Sequence, residues 1–185
     1  GNLFKMGEID MAKISVLVSR EEIKAKTEEL AKRITEDYRG KDLLLVGVLK
    51  GGFMFLADLA RAIDLPLSID FISVSSYANS TVSSGVVRIL KDIDYDITGK
   101  HVLIVEDIID SGLTLTYLKE LFKAKHCASV KVCTILDKPS RRKVDLEVDY
   151  QGIIIPDKFV IGYGLDYQEK YRNLPDVCVI EDLEE

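Results

Sequence analysis

Three carboxylates and two hydroxyls lie close together in residues 106–114, and groups of this kind can bind a sugar phosphate. Glu106 and Asp107 follow a run of apolar, mostly β-branched residues that is typical of a buried strand. Asp110 comes three positions later. Carboxylates accept hydrogen bonds from a sugar diol or bind Mg²⁺. Because ligands bind beyond the carboxyl ends of strands in open α/β sheets, we predict a binding site here.

The turn after Asp110 has the composition of a phosphate-binding site. Ser111 and Thr114 supply hydroxyls, and Gly112 lets the backbone approach a ligand closely. The apolar spacing that follows predicts a helix, whose first N–H groups are unpaired and attract anions. The segment is not a Walker A loop, because it lacks the Gly-Lys-Ser/Thr of that motif. The alternative is that Ser111 only caps the helix and that the carboxylates are solvated.

Two other predicted strands end close to lysines. The strand over 43–49 is followed by Lys50 and two glycines, and the strand over 130–136 is followed by Lys138. Because strands alternate with helices, we predict an α/β fold whose central parallel sheet is flanked by helices and whose carboxyl strand ends share one edge. A strand-to-helix turn with a surface lysine is the alternative at Lys50. The basic residues 141–143 are expected to be solvated.

Residues 102–114, with the sequence VLIVEDIIDSGLT, resemble the phosphoribosyl-pyrophosphate motif of the purine phosphoribosyltransferases. Residues 155–166 and 169–172 resemble the bacterial members of that family that act on hypoxanthine and guanine. The resemblance covers nearly the whole chain after about residue 14. It implies the type I phosphoribosyltransferase fold, in which a small hood accompanies the central sheet.

The resemblance also implies a role for each group of site residues. The implied contacts to the ribose and its 5′-phosphate are Glu106, Asp107, Ser111, Gly112, Leu113 and Thr114. The implied contacts to pyrophosphate are Lys50, Gly51 and Arg172. The implied contacts to the purine are Lys138, Phe159, Val160 and Asp166. The implied ligands of Mg²⁺ are Glu106, Asp107 and Asp166.

The implied reaction is purine salvage, in which 5-phosphoribosyl passes from phosphoribosyl pyrophosphate (PRPP) to N9 of hypoxanthine or guanine. The products are IMP or GMP and pyrophosphate. Asp110 would face N7 of the purine and manage the proton as N9 attacks. Lys138 would donate to the 6-oxo group, a contact that the 6-amino group of adenine cannot replace. A regulator of this fold that senses PRPP without base transfer is the alternative, and it would need neither residue. An orotate or adenine transferase conflicts with Lys138.

Residues 75–85 are too small and polar to form a packed structure by themselves. One interpretation is a disordered hairpin tip at the surface. The other is a mobile lid over a site that must exclude water. The family resemblance favours the lid, with Ser76 and Tyr77 closing over the diphosphate.

Composition limits the possible partners of this chain of 185 residues. Its net charge is −6, and no basic stripe is present, so we expect no nucleic-acid partner. No apolar run has the length of a membrane span. Cys127, Cys133 and Cys178 lack metal-ligand spacing and indicate reduced thiols in the cytoplasm. We expect a loose leader over 1–13 and a single domain over 14–185. The resemblance implies a homodimer or homotetramer.

Overall fold

The computed structural model describes residues 13–76 and 87–181. In these residues the strands are β1 (Ile14–Val18), β2 (Leu43–Leu49), β3 (Ser68–Ser76), β4 (Val87–Lys91), β5 (His101–Ile109), β6 (Ser129–Asp137), β7 (Tyr150–Ile154), β8 (Val160–Ile161) and β9 (Val177–Ile180). The helices are α1 (Arg20–Asp37), α2 (Phe53–Ala62) and α3 (Leu113–Ala124), with a short 3₁₀ helix at Pro139–Arg141. No helix of the described residues is long and apolar enough to cross a membrane.

The central sheet has the strand order β4-β3-β2-β5-β6-β7. Neighbours from β3 to β7 run parallel, and only the edge strand β4 is antiparallel to its neighbour. The predicted α/β fold with a central parallel sheet is therefore confirmed. The carboxyl ends of β2, β5 and β6 consequently lie at one edge, as the sequence predicts.

Both faces of this sheet are buried, which explains the uninterrupted apolar sequence of β2. Leu43 and Leu45 pack into one core layer with residues of α1 and α2. Leu44 and Val46 face the opposite layer, which contains the apolar side of α3. Successive residues of a strand point to opposite faces, so a strand between two helical layers is apolar at every position.

A second sheet of three antiparallel strands, in the order β1-β9-β8, forms the predicted hood. The sequence predicts β1 with its observed bounds, but it gives no prediction of β9, which is four residues long. The loop after β8 packs on the loop after β2, because a Cβ at Gly164 would lie 2.2 Å from the Gly51 carbonyl oxygen. The hood therefore contacts the carboxyl edge of the central sheet.

The strands β5 and β3 place two of the predicted site segments. β5 continues to Ile109, so Glu106 and Asp107 lie inside the strand and not in a loop after it. β3 ends at Ser76, the first residue of the predicted closing pair. Its second residue, Tyr77, and the rest of the predicted lid to residue 85 lie outside the described residues.

Candidate active site

The strand-end segments meet closely enough to form one site. The backbone N–H of Lys138, just after β6, donates to the carbonyl of Ile109 at the end of β5 (3.0 Å). A Cβ at Gly51 would lie 1.8 Å from Asp107 Oδ2, so only glycine allows the loop after β2 to lie against that carboxylate. The structure thus brings together the acid pair, the lysine loop after β2 and Lys138.

Glu106 and Asp107 form an electrostatically unfavourable pair. Burial raises the pKa of Glu106 well above its usual range, and the neighbouring charge of Asp107 raises it further. Burial also raises the pKa of Asp107, although Ile108 donates its N–H to Asp107 Oδ1 (2.7 Å) and the positive charge of Arg172 opposes the shift. Two adjacent, poorly hydrated carboxylates favour a cation or a group that donates hydrogen bonds.

The acid pair fits Mg²⁺ in its donor chemistry. Mg²⁺ is usually held by one or two carboxylates together with water and substrate oxygens. Within residues 13–76 and 87–181, no group of three or more His, Cys, Asp or Glu side chains could hold a metal ion by itself. Asp166 has other partners, since its Oδ2 accepts from the N–H of Glu169 (2.8 Å) and its Oδ1 lies 3.6 Å from Arg172 Nη2.

The turn between β5 and α3 is the segment that the sequence predicts to bind a phosphate. Gly112 precedes the helix with φ of +82°, a left-handed conformation that favours glycine. A Cβ there would also lie 3.1 Å from Cδ of Arg142. The Ser111 hydroxyl accepts a long hydrogen bond from the Leu113 N–H (3.3 Å). Thr114 lies in the first turn of α3.

The two predicted pyrophosphate cations come together although they are far apart in the sequence. Lys50 follows a cis peptide bond from Leu49, and its Nζ lies 2.9 Å from Glu169 Oε2. Arg172 Nη2 lies 3.3 Å from the same carboxylate oxygen. Arg172 Nη1 donates to the carbonyl of Gly164 (2.8 Å), and this hydrogen bond fixes the guanidinium against the loop after β8. Glu169 is a contact that the sequence does not predict.

The residues predicted to contact the purine lie next to the end of β6 and in or beside β8. Lys138 is buried, and its Nζ lies 4.0 Å from Asp110 Oδ1 and 3.7 Å from Asp157 Oδ1. Val160 is buried in β8, and the rings of Phe159 and Tyr167 are nearly perpendicular, with centroids 5.9 Å apart. The Asp110 carboxylate is half-exposed beside Lys138 and can therefore reach a ligand.

The prediction that residues 141–143 are solvated is wrong for Arg142, whose side chain is mostly buried. Its Nη2 donates to both oxygens of the fully buried Asp137 (2.9 and 3.0 Å), and its Nη1 donates to the Asp110 carbonyl (2.9 Å). Gln151 donates to Asp137 Oδ2 (2.7 Å). Arg142 therefore joins the end of β6 to the start of the phosphate turn. The only signal in the sequence is the carboxylate of Asp137 at the end of an apolar strand, where a partner is required.

These features define a phosphoribosyltransferase. The family model described as "Phosphoribosyl transferase domain" matches residues 16–168, and the chain belongs to this family. It is 54% identical to the hypoxanthine-guanine phosphoribosyltransferase of Bacillus subtilis, over 90% of this chain and 92% of that protein.

Solved structures give the same result. A hypoxanthine-guanine phosphoribosyltransferase from Bacillus anthracis is 51% identical, with a TM-score of 0.87 over 94% of this chain and 99% of that one. A hypoxanthine phosphoribosyltransferase from Staphylococcus aureus is 47% identical, with a TM-score of 0.90 over 96% of this chain and 97% of that one. The resemblance noted from the sequence is therefore confirmed at the level of the family and the fold.

Proposed function

We propose that this chain is a purine-salvage enzyme that transfers 5-phosphoribosyl from PRPP to N9 of hypoxanthine or guanine. The products are IMP or GMP and pyrophosphate. The observation that carries the proposal is the convergence of the acid pair, the glycine turn and Lys138 at one edge of the sheet. The names of the similar proteins support the same reaction.

The residues at the carboxyl end of β5 and at the start of α3 hold the sugar phosphate. Glu106 and Asp107 accept hydrogen bonds from the ribose hydroxyls, and the turn over 111–114 binds the 5′-phosphate through its hydroxyls and N–H groups. As the bond to pyrophosphate breaks, the anomeric carbon gains positive charge. Buried carboxylates beside the ribose stabilise that charge more strongly than solvated ones.

The purine lies between the hood and the end of β6. Asp110 manages the proton at N7 as N9 attacks, and Lys138 donates to the 6-oxo group. Phe159 stacks on the base, and the backbone of Val160 and Asp166 reads its 2-position. The Lys138 Nζ lies 4.0 Å from Asp110 Oδ1, and this short separation supports a role for both groups as neighbouring contacts to one base.

Pyrophosphate is bound by Lys50, Gly51 and Arg172. The Mg²⁺ that the reaction requires would neutralise the charge of the leaving diphosphate, with Glu106, Asp107 and Asp166 as its candidate protein ligands. Lys50 and Arg172 meet at one carboxylate in the structure, so a single anionic group can contact both.

The surroundings of the enzyme form the last part of the proposal. We place Ser76 and Tyr77 in a lid over the diphosphate, and residues 14–185 in one catalytic domain after a short leader. A cytoplasmic location is supported by the free thiols of Cys127, Cys133 and Cys178. We further propose a homodimer or homotetramer.

The test that separates an enzyme from a PRPP-sensing regulator is Asp110→Asn. The amide keeps the size of the side chain but cannot accept the proton, so kcat with hypoxanthine should fall roughly 10²–10⁴-fold. Binding of PRPP with Mg²⁺, measured by calorimetry, should change little because the phosphate turn and acid pair remain.

The matched control is Asp157→Asn, which removes the other carboxylate near Lys138 Nζ. It should retain most of the turnover if proton transfer, and not the pairing of Lys138, is the function of Asp110. Near-normal turnover of Asp110→Asn would refute its role. A wild-type protein that binds PRPP but releases no pyrophosphate with any purine would favour the regulator.

A further inference from the structure

Glu169 forms ion pairs with Lys50 and Arg172, the two cations that the proposed function assigns to the diphosphate. Its Oε2 lies 2.9 Å from Lys50 Nζ and 3.3 Å from Arg172 Nη2. A carboxylate oxygen between an ammonium and a guanidinium has the same partners that a phosphoryl oxygen would have. The carboxylate and a diphosphate therefore cannot both hold these cations in the same way.

The backbone around Glu169 is held in a costly conformation. Tyr167 and Lys170 exchange backbone hydrogen bonds (3.0 and 3.1 Å), so Gln168 and Glu169 form the two central residues of a tight turn. Both have positive φ, +51° and +66°. Turns of this kind favour Asn and Gly, because other side chains are strained there. The turn thus presents a carboxylate where a glycine would fit with less strain.

The three charged side chains differ in freedom. Lys50 and Glu169 are each about two-thirds exposed, whereas Arg172 is 20% exposed and is fixed by the Gly164 carbonyl. Exposed ion pairs contribute little to folding stability. The ion pair between Lys50 and Glu169 therefore contributes little to stability. The Glu169 side chain can turn away while Arg172 stays in place. An exposed glutamate is ionised at neutral pH, so Glu169 presents a negative charge to both cations.

We propose that Glu169 is an internal anion that occupies the diphosphate-binding cations of the free enzyme and is displaced when diphosphate binds. This inference rests on the proposed function, which assigns Lys50 and Arg172 to the diphosphate. Displacement breaks the contacts of Glu169 and therefore weakens diphosphate binding. The consequence is faster release of pyrophosphate after transfer, together with a higher KM for PRPP.

The experiment measures binding of inorganic pyrophosphate, at a fixed Mg²⁺ concentration, by isothermal titration calorimetry of the whole chain of 185 residues. Glu169→Gln removes the charge and keeps the size of the side chain. It should bind pyrophosphate about two- to tenfold more tightly than the wild type, the range expected from one or two exposed ion pairs. Glu169→Asp keeps the charge and should stay near the wild-type affinity.

The matched control is Glu29→Gln, which removes an exposed carboxylate 3.0 Å from Lys26 on α1 and should leave pyrophosphate affinity unchanged. If Glu169→Gln binds pyrophosphate no more tightly than the wild type, the inference is overturned while the proposed function stands. If wild type does not bind pyrophosphate, or if Lys50→Met binds it equally well, the diphosphate assignment itself fails.

Discussion

Arg142→Met tests whether the buried charge at the end of β6 depends on one partner. The substitution keeps an unbranched side chain that can pack near Gly112, and it removes the guanidinium. Asp137 is fully buried, and among the residues that the structure describes its one remaining side-chain donor would be Gln151. The Asp110 carbonyl would also lose its donor.

The expected loss in free energy of unfolding is about 2–4 kcal/mol. Removing one partner of a buried ion pair costs about 3–5 kcal/mol, because the other charge is left uncompensated. The lower range applies here because Arg142 is 17% exposed and Gln151 still donates to the carboxylate. Because Arg142 also positions the start of the phosphate turn, kcat/KM for PRPP should fall roughly ten- to a hundredfold in the folded variant.

The assay is urea denaturation at one fixed protein concentration, so that any assembly affects all variants equally. Arg141→Met is the control, since this neighbouring arginine is half-exposed and pairs with the exposed Asp157. It should change stability by less than about 1 kcal/mol. Adding Asp137→Asn to Arg142→Met should recover about 1 kcal/mol or more, because the unpaired charge is then gone. A single variant as stable as the wild type would refute the reasoning.

Two other expected outcomes follow from named contacts. Lys138→Met should lower kcat/KM for hypoxanthine roughly 10–100-fold, the scale of a charge-assisted hydrogen bond, and lower it far less for adenine; equal losses would show that Lys138 does not read the 6-position. Burial opposes ionisation of Asp70, but N–H donors of Phe71, Asp94 and Tyr95 outweigh it and hold its pKa below the usual range. Asp70→Asn should therefore cost about 1–3 kcal/mol at pH 7, and the difference should shrink below about pH 4 as the wild-type carboxylate is protonated; a constant difference down to pH 2 would contradict this.

Local patterns predict the elements that carry their own signals. Ser19 accepts from the N–H of Glu22, and the Glu22 side chain accepts from the N–H of Ser19, so the start of α1 is encoded in four residues. The apolar run of β2 needs no tertiary information beyond two helical layers. β9 differs, because Val177–Ile180 becomes a strand only by pairing with β8 and with β1, which lies over 150 residues earlier in the chain. A four-residue segment has no periodicity long enough to predict that partner.

The same distinction applies to the site. Parallel strands bring their carboxyl ends to one edge, so the positions of Glu106, Asp107 and Lys138 follow from strand order alone. The partner of each charge does not follow from it. Lys50 and Glu169 are separated by 119 positions. They meet because the loop after β8 packs on the loop after β2. The sequence identifies charged groups that could bind a ligand. The side chains that pair with those groups in the folded protein depend on how the two sheets pack. Buried or shared charges such as those of Asp137 and Glu169 are therefore where a structure adds most to the chemistry read from sequence.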